Sequence, residues 1–224
     1  AWIFLSIGAA YALWYLGFVK GFFLRIRVAK GVWLTGLALL VAGSAVYPVL
    51  GTRERLADRF DTSTFTLDGT AFMETESYTD DKGTVTFKWD LEAIEWMQEN
   101  VQGSPVIVEG RTPLYRWGSR VSIYTGLPTV LGWDWHQRQQ RCGLNPCDAV
   151  TARIVDVNKI YTSTDATETL QLLNDYDVKY VYVGELEHNY YPDSGLIKFQ
   201  GLAAVGKLTV VYENQEVTVY EVQG

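Results

Sequence analysis

The sequence predicts an α/β protein: two transmembrane helices followed by an extracytoplasmic α/β domain with a mixed sheet flanked by helices. Three observations lead there. Residues 1–19 and 31–50 contain no Asp, Glu, Lys or Arg. The connection between them carries only basic charge. After residue 50, short β-rich runs alternate with amphipathic helical runs, the pattern of a sheet with helices on its faces. The expected organisation is a helical hairpin over 1–50 and a soluble domain over 51–224.

Each apolar stretch approaches the ~20 residues a helix needs to cross a bilayer. The connection KGFFLRIRVAK holds Lys20, Arg25, Arg27 and Lys30 and no acid. Short basic loops stay on the cytoplasmic side, so the hairpin enters and returns, and residues 51–224 lie outside the cytoplasm. The chain begins at Ala1, already inside the first apolar stretch, and no basic n-region precedes it, which argues against a signal peptide. The favoured expectation is the last two spans of a larger multi-pass protein of the cell membrane; a simple two-helix anchor is the alternative. The lipid bilayer is the first expected partner, and other membrane subunits are further candidates.

All 26 acidic residues fall after residue 50, with 15 of the 19 basic ones, so that portion carries −11 and the hairpin +4. An acidic outer domain argues against nucleic acid or anionic headgroups as the main partner. Walker A, G-x-G-x-x-G, G-x-S-x-G and H-E-x-x-H signatures are missing. With two histidines, His136 and His188, a multi-histidine metal site is excluded; no metal and no cofactor are expected.

Element by element, GTRERLADRFDT (51–62) reads as a short charged helix, and TSTFTLDGTAFM as loop with one short strand. A D-D-K-G turn (80–83) precedes the alternating strand TVTFKW. Asp90 then reads as the N-cap of LEAIEWMQENV, whose Leu91, Ile94 and Met97 form an apolar stripe ending at Gly103 and Pro105. PVIVEG is a short buried strand, RTPLYRWGSRVSIYTGLP a loop into a short helix, and PTVLGW a second apolar strand. DWHQRQQRCGLNPCD is a polar, aromatic connection. A helix follows over DAVTARIVDVNKIYTS, then another over ATETLQLLNDYDV capped by Thr164 or Asp165. KYVYVGELE is a central strand, SGLIKFQGL a helix, and LTVVYENQEVTVYEV a closing hairpin. Asp68, Asp80 and Asp81 read as surface turn residues and His188 as an exposed loop residue.

Cys142 and Cys147 bracket a Gly- and Pro-containing turn. The topology puts them in an oxidising compartment, where a local disulfide is expected; two reduced buried thiols are the alternative.

The chemistry concentrates in 109–141. The candidate ligand-binding residues are Glu109, Arg111, Arg116, Trp117, Arg120, Trp133, Asp134, Trp135, His136, Arg138 and Arg141. Ligands of α/β sheets bind beyond strand C-termini, where Glu109 and Trp133 to His136 are expected. Guanidinium forks suit phosphate or carboxylate, and flat aromatics suit sugar faces and prenyl chains. Together they suit a lipid-linked phospho-sugar. The competing reading is a structural network of Arg, Trp and Asp that pins loops to the sheet.

The run SRVSIYTGLPTVLGWDWHQRQQR (119–141), with TLDGTAFM upstream and DVKYVYVG at 177–184, resembles the C-terminal region of the Chlor-Arch-YYY family of polytopic membrane proteins. That family looks like part of the GT-C superfamily of integral-membrane glycosyltransferases. The resemblance implies a glycosyltransferase-like protein with a polyprenyl-phosphate sugar donor. Two departures stand. The Y-Y-Y-x-G motif that names the family is absent, and only Tyr180, Tyr182 and Gly184 stand near it. The outer loop that carries the catalytic aspartate in GT-C enzymes falls outside this sequence, so no catalytic residue carries over. A non-enzymatic, membrane-anchored structural subunit is the alternative function.

Overall fold

The computed structural model describes residues 1–21, 27–59, 66–143 and 147–223. It divides into two compact units, Ala1–Phe65 and Thr66–Gly224.

The first unit is helical. Helix α1, Trp2–Trp14, runs into a π-helical turn at Tyr15–Val19; helix α2, Arg27–Val46, passes through a second at Tyr47–Gly51 into α3, Thr52–Arg59. Pro48 sits in the second wide turn. Proline has no N–H to give to the preceding turn, and a π-bulge is one way a helix absorbs that loss. Lys30–Ala57 is long and apolar enough to cross a membrane. Its 28 residues would span about 42 Å at the helical rise, more than a hydrocarbon core of about 30 Å. The other apolar helix, Trp2–Gly17, is shorter. Arg25 of the basic connection lies outside the described residues, as do residues 60–65 of the region read as charged helix and loop.

The second unit opens with a 3-10 turn, Ala71–Glu74, and a hairpin of β1 (Ser77–Thr79) and β2 (Thr84–Thr86) closed by the Asp80–Gly83 turn. The strand expected over TVTFKW stops at Thr86, paired with Ser77; one more backbone bond, Phe87 N–H to Glu76 O (3.3 Å), follows as the chain enters the next helix. The chain turns into helix α4, Phe87–Asn100, with Thr86 as its N-cap. Asp90 is therefore not the cap. It lies in the first turn, 2% exposed, drawn inward by a buried arginine described below.

Strand β3, Val106–Val108, leads through a loop to α5 (Arg120–Thr125), α6 (Asp134–Arg141), α7 (Asp148–Thr162) and α8 (Ala166–Asp175). Strand β4 (Val178–Val183), helices α9 (Glu185–Tyr190) and α10 (Asp193–Ala204), and the hairpin of β5 (Leu208–Glu213) and β6 (Thr218–Val222) complete the unit. The sheet order is β3-β4-β6-β5, parallel between β3 and β4 and antiparallel elsewhere, so the sheet is mixed as expected.

Strand alternation divides the core into two layers. Val108, Val181, Val183 and Tyr220 join Val157, Ile160, Leu173 and Phe199 from α7, α8 and α10. Ile107, Tyr182 and Val219 face the other way, onto Ala93 and Met97 of α4 and Val121 of α5. Each fully buried aliphatic side chain contributes about 1.5–3 kcal/mol.

Three further differences from the expected elements have local causes. PTVLGW is not a strand: Thr129 alone bridges Ile107, because Pro128 has no N–H and Gly132 turns the chain at φ +69. The polar run after it forms α6, which begins at Asp134. The strand read through Gly184 and Glu185 ends at Val183, and Glu185 starts α9, so His188 is a helical residue. Asp165 does cap α8, accepting from the Thr167 and Glu168 N–H groups. Cys142 and Cys147 form the disulfide joining α6 to α7, Cα–Cα 5.0 Å; Leu144–Pro146 of its turn lie outside the described residues.

Candidate functional site

The eleven residues singled out in 109–141 separate into an interior group and a surface group. Arg120, at the start of α5, is 1% exposed. Its Nε donates to Asp90 Oδ2 (2.6 Å), and its two terminal nitrogens donate to the Glu187 carboxylate (3.2 and 2.9 Å). Tyr182 donates to the other Asp90 oxygen (2.7 Å), and its ring lies under the guanidinium at 5.1 Å. Burial alone would lower the Arg120 pKa, but Asp90 and Glu187 more than offset it and hold it well above its ordinary value.

Glu187 also accepts the Gly110 and Gly184 N–H groups, tying the end of β3 to the end of β4. Gly110 is required by this approach: a Cβ there would stand 2.8 Å from Glu187 Oε1. Glu109, buried, accepts from Val121 and Ser122 N–H (2.9 and 3.1 Å), the open donors of the first turn of α5. Burial raises its pKa despite these bonds. Trp117 belongs to an aromatic cluster with Phe87 (4.3 Å between rings), Phe72 and Tyr124; its buried Nε1 has no hydrogen-bond partner among the described residues.

Five of the surface group, Arg116, Trp133, Asp134, Trp135 and His136, line a cleft beyond the end of β3 together with Thr112, Pro113, Leu114, Tyr115, Ser119 and Gly132. Two loops form it. In the first, Tyr115 and Ser119 both adopt φ 61, the left-handed region that side chains disfavour. Gly118 lets this loop fold on itself, since a Cβ there would fall 2.4 Å from Thr112 Oγ1. The second is the Gly132 turn and the first turn of α6. The Trp133 indole N–H donates to Gly118 O (3.0 Å) and so joins the two loops. Trp133 and Trp135 remain 49% and 45% exposed, and His136 stacks obliquely on Trp133 at 5.2 Å.

The charges at the cleft are paired. Arg111 Nε and Nη2 donate to Asp134 Oδ2 (3.2 and 2.8 Å). Arg116 reaches Asp80 (3.2 Å) and Asp81 (2.7 Å) of the β1–β2 turn. Its pKa is raised, chiefly by a hydrogen bond with Tyr78 and then by the two carboxylates. Asp80 is thus not a surface turn residue: its side chain is 3% exposed and also accepts from the Tyr190 hydroxyl. Arg138 donates to Thr151 Oγ1 (3.2 Å), Arg141 is exposed, and neither lines the cleft.

Sequence reasoning missed Asp90, Tyr182 and Glu187 as partners of Arg120, and Thr112, Leu114 and Ser119 as cleft residues. The cleft loop carried a signal in Pro113 and Gly118, both loop-forming types. Nothing local marks Glu187 as the partner of a residue 67 positions away.

Fold and cleft define the second unit as a mixed-sheet α/β domain bearing a small aromatic cleft with paired charges. No family model and no curated protein matches the chain. Two solved structures similar to it are both the C-terminal globular domain of oligosaccharyltransferase from Archaeoglobus fulgidus. One is 16% identical with a TM-score of 0.38 and covers 59% of this chain and 95% of its own. The other is 14% identical with a TM-score of 0.33 and covers 66% and 98%.

Proposed function

We propose that this chain is the C-terminal part of a multi-pass, integral-membrane glycosyltransferase-like protein that uses a polyprenyl-phosphate sugar. Two apolar helices cross the cell membrane, and the α/β domain works on the extracytoplasmic side, where it assists binding of the sugar-bearing lipid or steadies the membrane core. The observation that carries the reading is the gathering of Trp133, Trp135, His136 and Arg116 around one cleft, on a chain that also holds a helix apolar enough for a bilayer. Exposed tryptophans forgo burial that a folding-only role would recover, and an aromatic cleft with a few convergent polar groups is the usual form of a ligand site. Arg138 and Arg141 follow Asp134 at helical spacing on α6 and serve as the phosphate partners. The resemblance of 119–141 to a GT-C-like family supports the same reading.

The second reading is a non-enzymatic, membrane-anchored structural subunit. The full commitment of Arg120 to Asp90 and Glu187 favours it, as do the pairs made by Arg111 and Arg116. The two separate in one experiment. The full chain in nanodiscs is titrated with a polyprenyl-phosphate sugar analogue, with Trp135→Ala alongside. Saturable binding lost in the variant at unchanged melting temperature supports the first reading; no binding by the wild type supports the second.

A further inference from the structure

We infer that the cleft takes the uncharged, hydroxyl-bearing face of a sugar ring and not a phosphate, an inference that rests on the ligand-binding reading above.

Charge decides first. Arg116 and Asp134 line the cleft; Arg116 is held by Asp80 and Asp81 and Asp134 by Arg111, so two guanidiniums stand against three carboxylates, all in contact with them. A phosphate entering here finds no net positive charge. To take either arginine it must displace a carboxylate and then sit beside it. Displacing Asp80 is the worse case, because its side chain is 3% exposed and would keep, among the described residues, only neutral partners, the Tyr190 hydroxyl and the Lys82 N–H. A neutral polyol breaks no pair. It uses the lone pairs and N–H groups that the pairs leave over: among the described residues Asp134 Oδ1 accepts the Trp135 N–H (2.9 Å), which leaves it a second acceptor direction.

Shape agrees. A sugar ring needs a flat apolar surface beside its hydroxyl partners. The Trp133 ring is held by its N–H on Gly118 O while about half of it stays open. A platform fixed before binding loses little rotamer freedom when the ligand arrives. Trp135, one residue past Asp134, offers a second exposed indole. At the mouth, Tyr115 is 90% exposed at φ 61. A strained backbone that presents a bulky aromatic to solvent is not explained by folding stability, and such strain gathers at ligand-binding loops.

The test uses the full chain in nanodiscs of zwitterionic lipid, with tryptophan fluorescence as the readout. The probes are a panel of neutral methyl hexosides, inorganic phosphate and a polyprenyl-phosphate sugar analogue. At least one hexoside should give a saturable change near the millimolar range, with affinity altered less than about twofold between low salt and ~0.5 M salt. Trp133→Ala and Trp135→Ala should each weaken it about tenfold, and Trp135→Phe should restore most of the loss, with melting temperature as the folding control. If phosphate saturates the signal in a salt-sensitive way and no hexoside does, the inference is overturned while the phospho-lipid reading stands. The inference is likewise overturned if the lipid analogue binds equally to wild type and Trp135→Ala. If none of the three probes binds, this inference and the ligand-binding reading both fall.

Discussion

Arg120 and Glu187 meet in the interior as a two-point pair, Nη1 to Oε1 at 3.2 Å and Nη2 to Oε2 at 2.9 Å, with side chains 1% and 0% exposed. The pair joins α5 to α9, and the backbone N–H groups of Gly110 and Gly184 complete the Glu187 shell. Removing Glu187 leaves Arg120 only Asp90 and strips the two terminal guanidinium nitrogens and the Gly110 and Gly184 N–H groups of their acceptor in a buried site. Glu187→Ala should therefore destabilise the domain by about 3–5 kcal/mol, read by urea unfolding followed through tryptophan fluorescence. A loss under about 1 kcal/mol would show that water reaches Arg120.

Lys198 sets a pH dependence. Its ammonium donates to Ile160 O and Gly195 O, both at 2.6 Å, and is 8% exposed. Burial lowers its pKa to about 8 from an ordinary 10.5. Between these values the unfolded chain binds the proton more tightly, so stability rises with pH through this window. The rise from pH 8 to pH 9 should be about 1 kcal/mol. Burial holds Tyr161 and Tyr182 above their ordinary 10.0, so they oppose the rise as pH approaches and passes 10, where the unfolded tyrosines ionise, and the window is read below pH 9. Lys198→Met should flatten the stability profile between pH 8 and pH 9; an unchanged slope would assign it to other groups.

The Cys142–Cys147 disulfide closes a loop with a sequence separation of 5. Loop entropy at that length gives about 2 kcal/mol at most. Reduction, or the double Cys→Ser variant, should lower the unfolding free energy by no more than that amount and leave hexoside affinity within about twofold. A collapse of binding with folding intact would mean that the bridge positions α6 and its tryptophans.

Arg138 donates to Thr151 Oγ1 from outside the cleft. Arg138→Lys keeps the charge and loses the planar fork. Affinity for the polyprenyl-phosphate sugar analogue should fall severalfold while hexoside affinity and melting temperature hold. Lower thermal stability with unchanged affinity per folded molecule would give Arg138 a structural role.

The membrane arrangement is tested with cysteines placed singly at Lys82 and Arg25 in a background lacking Cys142 and Cys147. An impermeant thiol reagent on intact cells should label position 82 and leave position 25 unlabelled. The reverse pattern would invert the hairpin and place the α/β domain in the cytoplasm.

Wherever the structure-forming interaction is local, the sequence alone was sufficient. The apolar run that becomes the Lys30–Ala57 helix, the Asp165 cap of α8 and the closing β5–β6 hairpin follow from contacts between near neighbours, and the β-rich composition of Val106–Val108 and Val178–Val183 marks both as strands. The density of Arg and Trp in 109–141 was equally plain, and of those residues Arg116, Trp133 and Trp135 line the cleft. Which of those residues face solvent was decided only in three dimensions. Arg120 and Arg116 are the same side chain four positions apart. One is sealed by Asp90 and Glu187, 30 and 67 positions away in the chain, and the other is clipped to a hairpin turn. Asp90 looked like a helix cap because capping is a local habit of aspartate; a buried guanidinium outweighs the cap, since an unpaired interior charge costs several kcal/mol and a cap contributes about one. The balance of charge at the cleft, and with it the choice between sugar and phosphate, exists only once the sheet has brought these distant carboxylates to the arginines.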